Sequence, residues 1–175
     1  MKWLRLRQPK RFTQAQIEAY MMAALEAAKS AQKNGGVPIG AVLVSNYSGE
    51  IAATGGSLVH AQHDPSAHAE INAIRELSHR LRRDDLYNYS LFSTLEPCHM
   101  CLSAAAWARI HRVYYGVSRR MVDASLFDVR TSQTDVYIAR KLNLRERLRM
   151  KVHGGILEDE CRQLLMHYHD TAKHS

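Results

Sequence analysis

Runs of apolar and polar positions divide the chain into predicted helices and strands. Apolar residues with helical spacing follow a capping-box pattern formed by Thr13 and Gln16, and they predict a first helix that ends near Asn34. Two short β-branched runs, at residues 37–45 and 51–54, flank a polar turn and predict a hairpin. The chain therefore opens with a helix followed by two strands.

Helical and strand-like patterns then alternate to the end of the chain. The predicted elements are a helix at 66–81, a strand at 91–95, a helix at 98–110, a strand at 112–117, a helix at 136–148, a short strand at 150–153 and a helix at 156–168. Helices interleaved with strands after a hairpin indicate an α/β fold. We expect a three-layer α/β/α sandwich with a central mixed five-stranded sheet.

Length and composition indicate one domain. The chain has 175 residues, 46% of them apolar, and we expect a basic N-terminal segment at 1–12 followed by a single domain at 13–175. The net charge of +7 favours a partner that carries phosphate, although many basic enzymes bind none. No apolar run has the length of a membrane span, so we expect no membrane partner. Three cysteines suit a reducing compartment, and we expect a cytoplasmic protein.

Two short motifs carry the candidate chemistry. The motif H-A-E supplies His68 and Glu70 at the start of one predicted helix, and P-C-H-M-C supplies Cys98 and Cys101 at the start of the next. One imidazole and two thiolates are zinc ligands, and three protein ligands leave zinc an open position for water. Zinc lowers the pKa of such a water toward about 7, and Glu70 is the natural carrier of its proton.

These motifs resemble the H-x-E and P-C-x-x-C signatures of the cytidine and deoxycytidylate deaminase superfamily. The resemblance covers residues 13–168 and is strongest from 64 to 117, where D-P-S-A-H-A-E and M-C-L are similar to the purine branch of guanine deaminases and tRNA adenosine deaminases. It implies a cytidine deaminase-like fold and a homodimer. It also implies zinc bound by His68, Cys98 and Cys101, with Glu70 as the proton shuttle.

Residues outside the metal motifs favour a free purine base or a similar aminated ring as the substrate. Trp107, and Asp128 after Phe127, resemble guanine deaminases more than tRNA adenosine deaminases. Ser57 stands where the family usually has a substrate-binding asparagine. We expect Ser57, Ala69, Trp107 and Asp128 to contact the substrate, and guanine hydrolysed to xanthine and ammonia is the first expectation.

Two other functions remain open from the sequence. Deamination of adenosine to inosine in a tRNA anticodon is favoured by the basic charge but opposed by Trp107 and Phe127, so tRNA is not the favoured partner. An idle zinc-bound module that binds RNA is an alternative of another class, which an intact Glu70 opposes. We expect His60 to lie in a solvated loop and Cys161 on a buried helix face, both without a chemical role.

Overall fold

The computed structural model describes residues 11–122 and 150–172. Its strands are β1 (Val37–Ser45), β2 (Ile51–Ser57), β3 (Tyr89–Leu95), β4 (Arg112–Val117) and β5 (Lys151–His153). They form one sheet in the order β2-β1-β3-β4-β5. β1 pairs antiparallel with β2 and β3, whereas β4 pairs in parallel with β3 and β5. The predicted mixed five-stranded sheet is confirmed.

Helices cover both faces of this sheet. In the part of the chain that the structure describes, they are α1 (Gln14–Lys33), α2 (Ala69–Leu81), α3 (His99–Trp107) and α4 (Glu158–Ala172). α2 and α3 pack on the face that carries Ala41 and Leu43, and α1 and α4 pack on the face that carries Val42 and Val44. Because successive side chains of a strand point to opposite faces, this apolar run is buried on both sides. The three-layer sandwich is confirmed.

Local polar contacts fix where the first two helices begin. Thr13 Oγ1 accepts a hydrogen bond from the Gln16 backbone N–H at 3.3 Å, and Gln16 Oε1 accepts one from the Thr13 N–H at 3.0 Å, which confirms the capping box. α2 begins three residues later than the pattern predicts. The carboxylate of Asp64 accepts the backbone N–H of Ser66 at 2.7 Å and holds a turn there, which leaves His68 as the N-cap.

Two predicted segments lie wholly or mostly outside the described residues, the helix at 136–148 and the basic segment at 1–12. Phe12 is described, and its ring lies 5.1 Å from the Tyr20 ring and 6.0 Å from the Phe92 ring, centroid to centroid. It packs on the core of the domain, and a boundary at residue 13 stays a prediction. None of the helices in the described ranges is long and apolar enough to cross a membrane.

Two glycines let helices lie directly on strands. A methyl group at Gly55 of β2 would be 2.2 Å from the Ala69 carbonyl oxygen of α2 and 2.6 Å from the Ala73 nitrogen. A methyl group at Gly116 of β4 would be 2.3 Å from the Cys161 sulfur of α4. Neither site has room for a side chain, so these contacts set the positions of α2 and α4 on opposite faces of the sheet.

The substitution Gly55→Ala is expected to push α2 away from β2 and to lower the free energy of unfolding by about 1–3 kcal/mol or more. Thr54→Ala, at the neighbouring exposed position of the same strand, is the matched control and should cost less than about 1 kcal/mol. Urea unfolding followed by circular dichroism measures both variants. Equal stability of the two would show that α2 does not depend on the close approach at Gly55.

Candidate metal centre and active site

The starts of α2 and α3 bring one nitrogen and two sulfur atoms together. His68 is the N-cap of α2, Cys98 is the N-cap of α3, and Cys101 lies in the first turn of α3. His68 Nδ1 is 3.6 Å from Cys98 Sγ and 3.5 Å from Cys101 Sγ, and the two sulfurs are 3.5 Å apart. The three predicted zinc ligands thus form a compact triangle.

The dimensions of this triangle suit a zinc ion. Tetrahedral zinc with Zn–S bonds of about 2.3 Å and Zn–N bonds of about 2.0–2.1 Å needs ligand atoms about 3.5–3.8 Å apart. The three measured separations lie at the lower end of that range. Among the residues that the structure describes, this is the group of histidine, cysteine and acidic side chains placed to hold a metal.

The two thiols affect each other strongly. The hydrogen bond between the two sulfur atoms is the main cause that lowers the pKa of Cys98 to about 3. The same contact, followed by burial, raises the pKa of Cys101. The hydrogen bond to Cys98 is also the main cause that raises the pKa of His68. Metal ligands must be deprotonated, so the site has to release protons, from Cys101 above all, when zinc binds.

Glu70 lies beside the triangle, in the first turn of α2. The residue is 3% exposed; its Oε2 accepts a hydrogen bond from Cys101 Sγ at 3.4 Å, and its Oε1 accepts one from Ser93 Oγ at 3.3 Å. Burial is the main cause that raises the pKa of Glu70. A carboxylate with a raised pKa is a better proton acceptor than an ordinary glutamate, which favours a role as a general acid–base catalyst.

Asn72 stabilises the loop that positions His68. Its Nδ2 donates to the carbonyl oxygen of Gly56 at 2.8 Å and to that of Ala67 at 3.2 Å. These bonds fasten the end of β2 to the residue before His68. The sequence pattern did not single out Asn72, although its place four residues after His68, one helical turn on, is a usable signal.

A cavity of about 230 Å³ opens onto the metal site. Pockets for drug-sized ligands typically measure about 300–1,000 Å³, so this one suits a single ring system. It is lined by Val37, Ile39, Ser57, Val59, His60, His68, Ala69, Glu70, Leu95, Glu96, Cys98, Arg119 and Tyr168.

Two of the four predicted substrate contacts line the cavity, one lies elsewhere on the surface and one is outside the described residues. Ser57 and Ala69 line the cavity and are buried. Trp107 ends α3, is 88% exposed and does not line the cavity of its own chain. Asp128 lies outside the described residues. Contact of these four residues with a substrate stays a prediction.

The cavity also contains side chains that the sequence patterns did not assign to the site. His60, expected in a solvated loop, is exposed yet lines the cavity. Glu96 and Arg119 line it just beyond the ends of β3 and β4, and Tyr168 reaches it from α4. The ends of two paired parallel strands meet at one edge of a sheet, which is the signal that would have drawn attention to Glu96 and Arg119.

Residues 14–117 match the family model for the zinc-binding region of cytidine and deoxycytidylate deaminases. The chain belongs to this deaminase family. The deaminase is a zinc-dependent aminohydrolase. The matched range contains Glu70 and the triangle of His68, Cys98 and Cys101, which could hold the metal ion.

Relatives of the deaminase act on different purines. The tRNA-specific adenosine deaminase of Buchnera aphidicola subsp. Schizaphis graminum is 36% identical, over 85% of this chain and 91% of the relative. A structure solved in work on A-to-I editing by tRNA:A34 deaminases at the wobble position is 34% identical, with a TM-score of 0.68, over 83% of this chain and 98% of the other. The guanine deaminase of Nitrosomonas europaea is 25% identical, with a TM-score of 0.76, over 94% and 89%.

The expectation of a free purine base as substrate, with guanine first, is wrong. Curated relatives that match most of the chain are named tRNA-specific adenosine deaminases. The expectation that tRNA is not the favoured partner is wrong for the same reason. Trp107 gave part of the support for guanine, but its side chain lies outside the cavity and cannot report which base the cavity of its own chain accepts.

Replacing Cys98 or Cys101 by alanine is expected to remove zinc and lower the melting temperature together, because metal binding and folding are coupled. Cys161→Ala is the matched control, since this third thiol is fully buried in the core against β4. That variant should lose stability but keep the zinc content of the wild type. Elemental analysis of the purified proteins decides, and full zinc content in either ligand variant would contradict the assignment.

Proposed function

We propose that this deaminase converts adenosine to inosine in the anticodon loop of a tRNA. The observation that carries the proposal is the likeness to tRNA-specific adenosine deaminases over 85% of the chain. It is joined to a small cavity that Glu70, His68 and Cys98 line and to the group of His68, Cys98 and Cys101 that could hold a metal. The net charge of +7 supports it as well, because basic proteins attract the phosphates of RNA.

In this proposal His68, Cys98 and Cys101 hold the zinc ion. When bound there, zinc supplies a water molecule whose pKa is lowered toward about 7. Addition of water at the amine-bearing carbon of adenine would give inosine and ammonia. The three ligands and Glu70 come from the starts of two helices, so the sheet and its helices set their relative positions before any substrate arrives.

Glu70 carries the protons of this reaction. Its carboxylate takes one proton from the attacking water and gives it to the ring nitrogen next to the carbon under attack. It then carries the remaining proton of the new hydroxyl group to the amino group, which leaves as ammonia. The hydrogen bond from Ser93 Oγ to Oε1 holds the carboxyl group in one orientation, which leaves Oε2 on the side of the metal ligands. The raised pKa suits a group that must take up and give back protons in each turnover.

The cavity receives one unstacked base. A base in a single-stranded loop is already free of pairing, so its transfer into a pocket costs less than extrusion from a duplex. Ser57 offers a hydroxyl group on the cavity wall, and Ala69 offers a small, fully buried surface against which the ring can lie. We therefore keep both as proposed contacts with the base.

We also propose that the deaminase is a cytoplasmic homodimer. Trp107 is 88% exposed and Met100, seven residues earlier on the same side of α3, is 39% exposed, an apolar surface that a second copy would cover. All three cysteines are free, which suits a reducing compartment.

The wild-type protein is expected to form inosine in a synthetic anticodon stem-loop with adenosine at the wobble position, with kcat/KM falling steeply as salt rises. Mass spectrometry of the digested RNA gives the product. The same stem-loop with guanosine at that position is the matched substrate control and should stay unchanged. Turnover of a free base with none of the stem-loop would contradict the proposal.

The substitution Glu70→Gln is expected to lower kcat at least about 10²–10⁴-fold while zinc stays bound, because the amide keeps the shape but cannot shuttle a proton. Glu76→Gln is the matched control on the same helix. Glu76 is exposed and pairs with Arg80 at 3.0 Å, so this variant should retain full activity. Undiminished turnover by the Glu70→Gln variant would show that Glu70 has no part in the mechanism. Absence of turnover by the wild-type protein would favour the idle RNA-binding module.

A further inference from the structure

A cation stands at the mouth of the cavity, apart from the groups that the reaction uses. Burial distinguishes the floor of the cavity from its mouth. At the floor, Glu70 is 3% exposed and Cys98 is 6% exposed, whereas Arg119 is partly exposed and His60 is exposed. All four residues line the same cavity. A positive charge at the mouth faces whatever part of the substrate remains outside when a base enters.

The backbone fixes the position of Arg119 relative to the metal ligands. Arg119 begins the short 3₁₀ turn Arg119–Met121, and Ser118 is its N-cap. Ser118 Oγ donates to Glu96 Oε2 at 2.8 Å, and the backbone N–H of Arg119 donates to the same oxygen at 3.2 Å. Glu96 lies two residues before Cys98, so one carboxylate ties this turn to the segment that carries the metal ligands.

Arg119 lines the same cavity as His68 and Cys98. Its neighbour Arg120 is exposed and does not line the cavity. The turn therefore presents one arginine to the cavity and the next one to solvent.

The size of the cavity decides which part of a substrate meets this cation. A volume of about 230 Å³ suits one ring system, so a nucleotide that enters base first leaves its ribose and phosphates at the mouth. A guanidinium group is a planar donor that matches two phosphate oxygens at once. A phosphate is the group of a nucleic acid chain that this side chain recognises best.

We propose that Arg119 binds a backbone phosphate next to the target nucleotide, and that this contact makes the deaminase prefer a nucleotide within RNA to a free base or nucleoside. The inference rests on the proposed tRNA deamination. It adds the residue that recognises the RNA strand, Arg119, and the chemical group that this residue binds, a phosphate. The phosphate contact is separate from the chemical step, so its loss should appear in KM and in the salt dependence more than in kcat.

The first test compares Arg119→Gln, Arg119→Lys and the matched control Arg120→Gln on the anticodon stem-loop. R119Q is expected to raise KM roughly 10-fold at low salt with zinc content unchanged, and to reduce the slope of log kcat/KM against log salt by about 0.7, the value for one phosphate of a single strand. R119K should recover most of the loss. R120Q should stay within about two-fold of the wild type.

The second test removes the charge from the RNA. Each of the two phosphates that flank the target adenosine is replaced in turn by a neutral methylphosphonate. For the wild type, one of these replacements should cost about as much as R119Q does, and on that RNA R119Q should lose nothing further. Such non-additive losses would show that the side chain of Arg119 contacts that phosphate.

The outcomes separate this inference from the proposed function. A wild type that does not deaminate the stem-loop contradicts the proposed function itself. A wild type that is active on the stem-loop but indifferent to both methylphosphonates overturns the phosphate contact alone, whatever the variants do. The same conclusion follows if R119Q and R120Q have equal KM values and equal salt slopes.

Discussion

Two buried thiols, a buried carboxyl group and a half-buried imidazole meet where α2 and α3 begin, and the rest of the site depends on how their charges are balanced. Each buried ion costs several kcal/mol unless an opposite charge lies close to it. Burial is the main cause that raises the pKa of Glu70, and the Coulomb interaction with the thiolate of Cys98 comes second. A divalent cation held by His68, Cys98 and Cys101 would offset this repulsion. Binding of the metal and packing of α2 against α3 are therefore coupled.

The fold and the metal site could be predicted because both depend on local patterns. The alternation along β1 and the helical spacing of α1 are properties of short segments, and the sequence indicated both elements correctly. The metal ligands lie in two motifs whose internal spacing already places each side chain at the start of a helix. Apolar periodicity predicts the start of α2 too early, because the side chain of Asp64 holds a turn at Ser66 that periodicity does not detect.

The mouth of the cavity could not be predicted in the same way. His60, Arg119 and Tyr168 come from three segments that are far apart in the sequence, and only the sheet order brings them to one cavity. The substrate was misjudged for a related reason. A guanine deaminase and a tRNA:A34 deaminase both resemble this fold, so the fold by itself does not indicate which base is accepted. Trp107, which partly supports the guanine expectation, lies outside the cavity.

The fit between Gly116 and Cys161 links the core of the protein to its choice of substrate. The sulfur of Cys161 lies over a position with no side chain, and this contact seats α4 on β4. Tyr168 follows Cys161 by seven residues, about 10 Å along the helix axis, and reaches the cavity. A small tilt at the buried contact is therefore magnified at the cavity wall. Over evolutionary time, exchanges of core residues beneath α4 can reshape the cavity without altering a single residue that lines it.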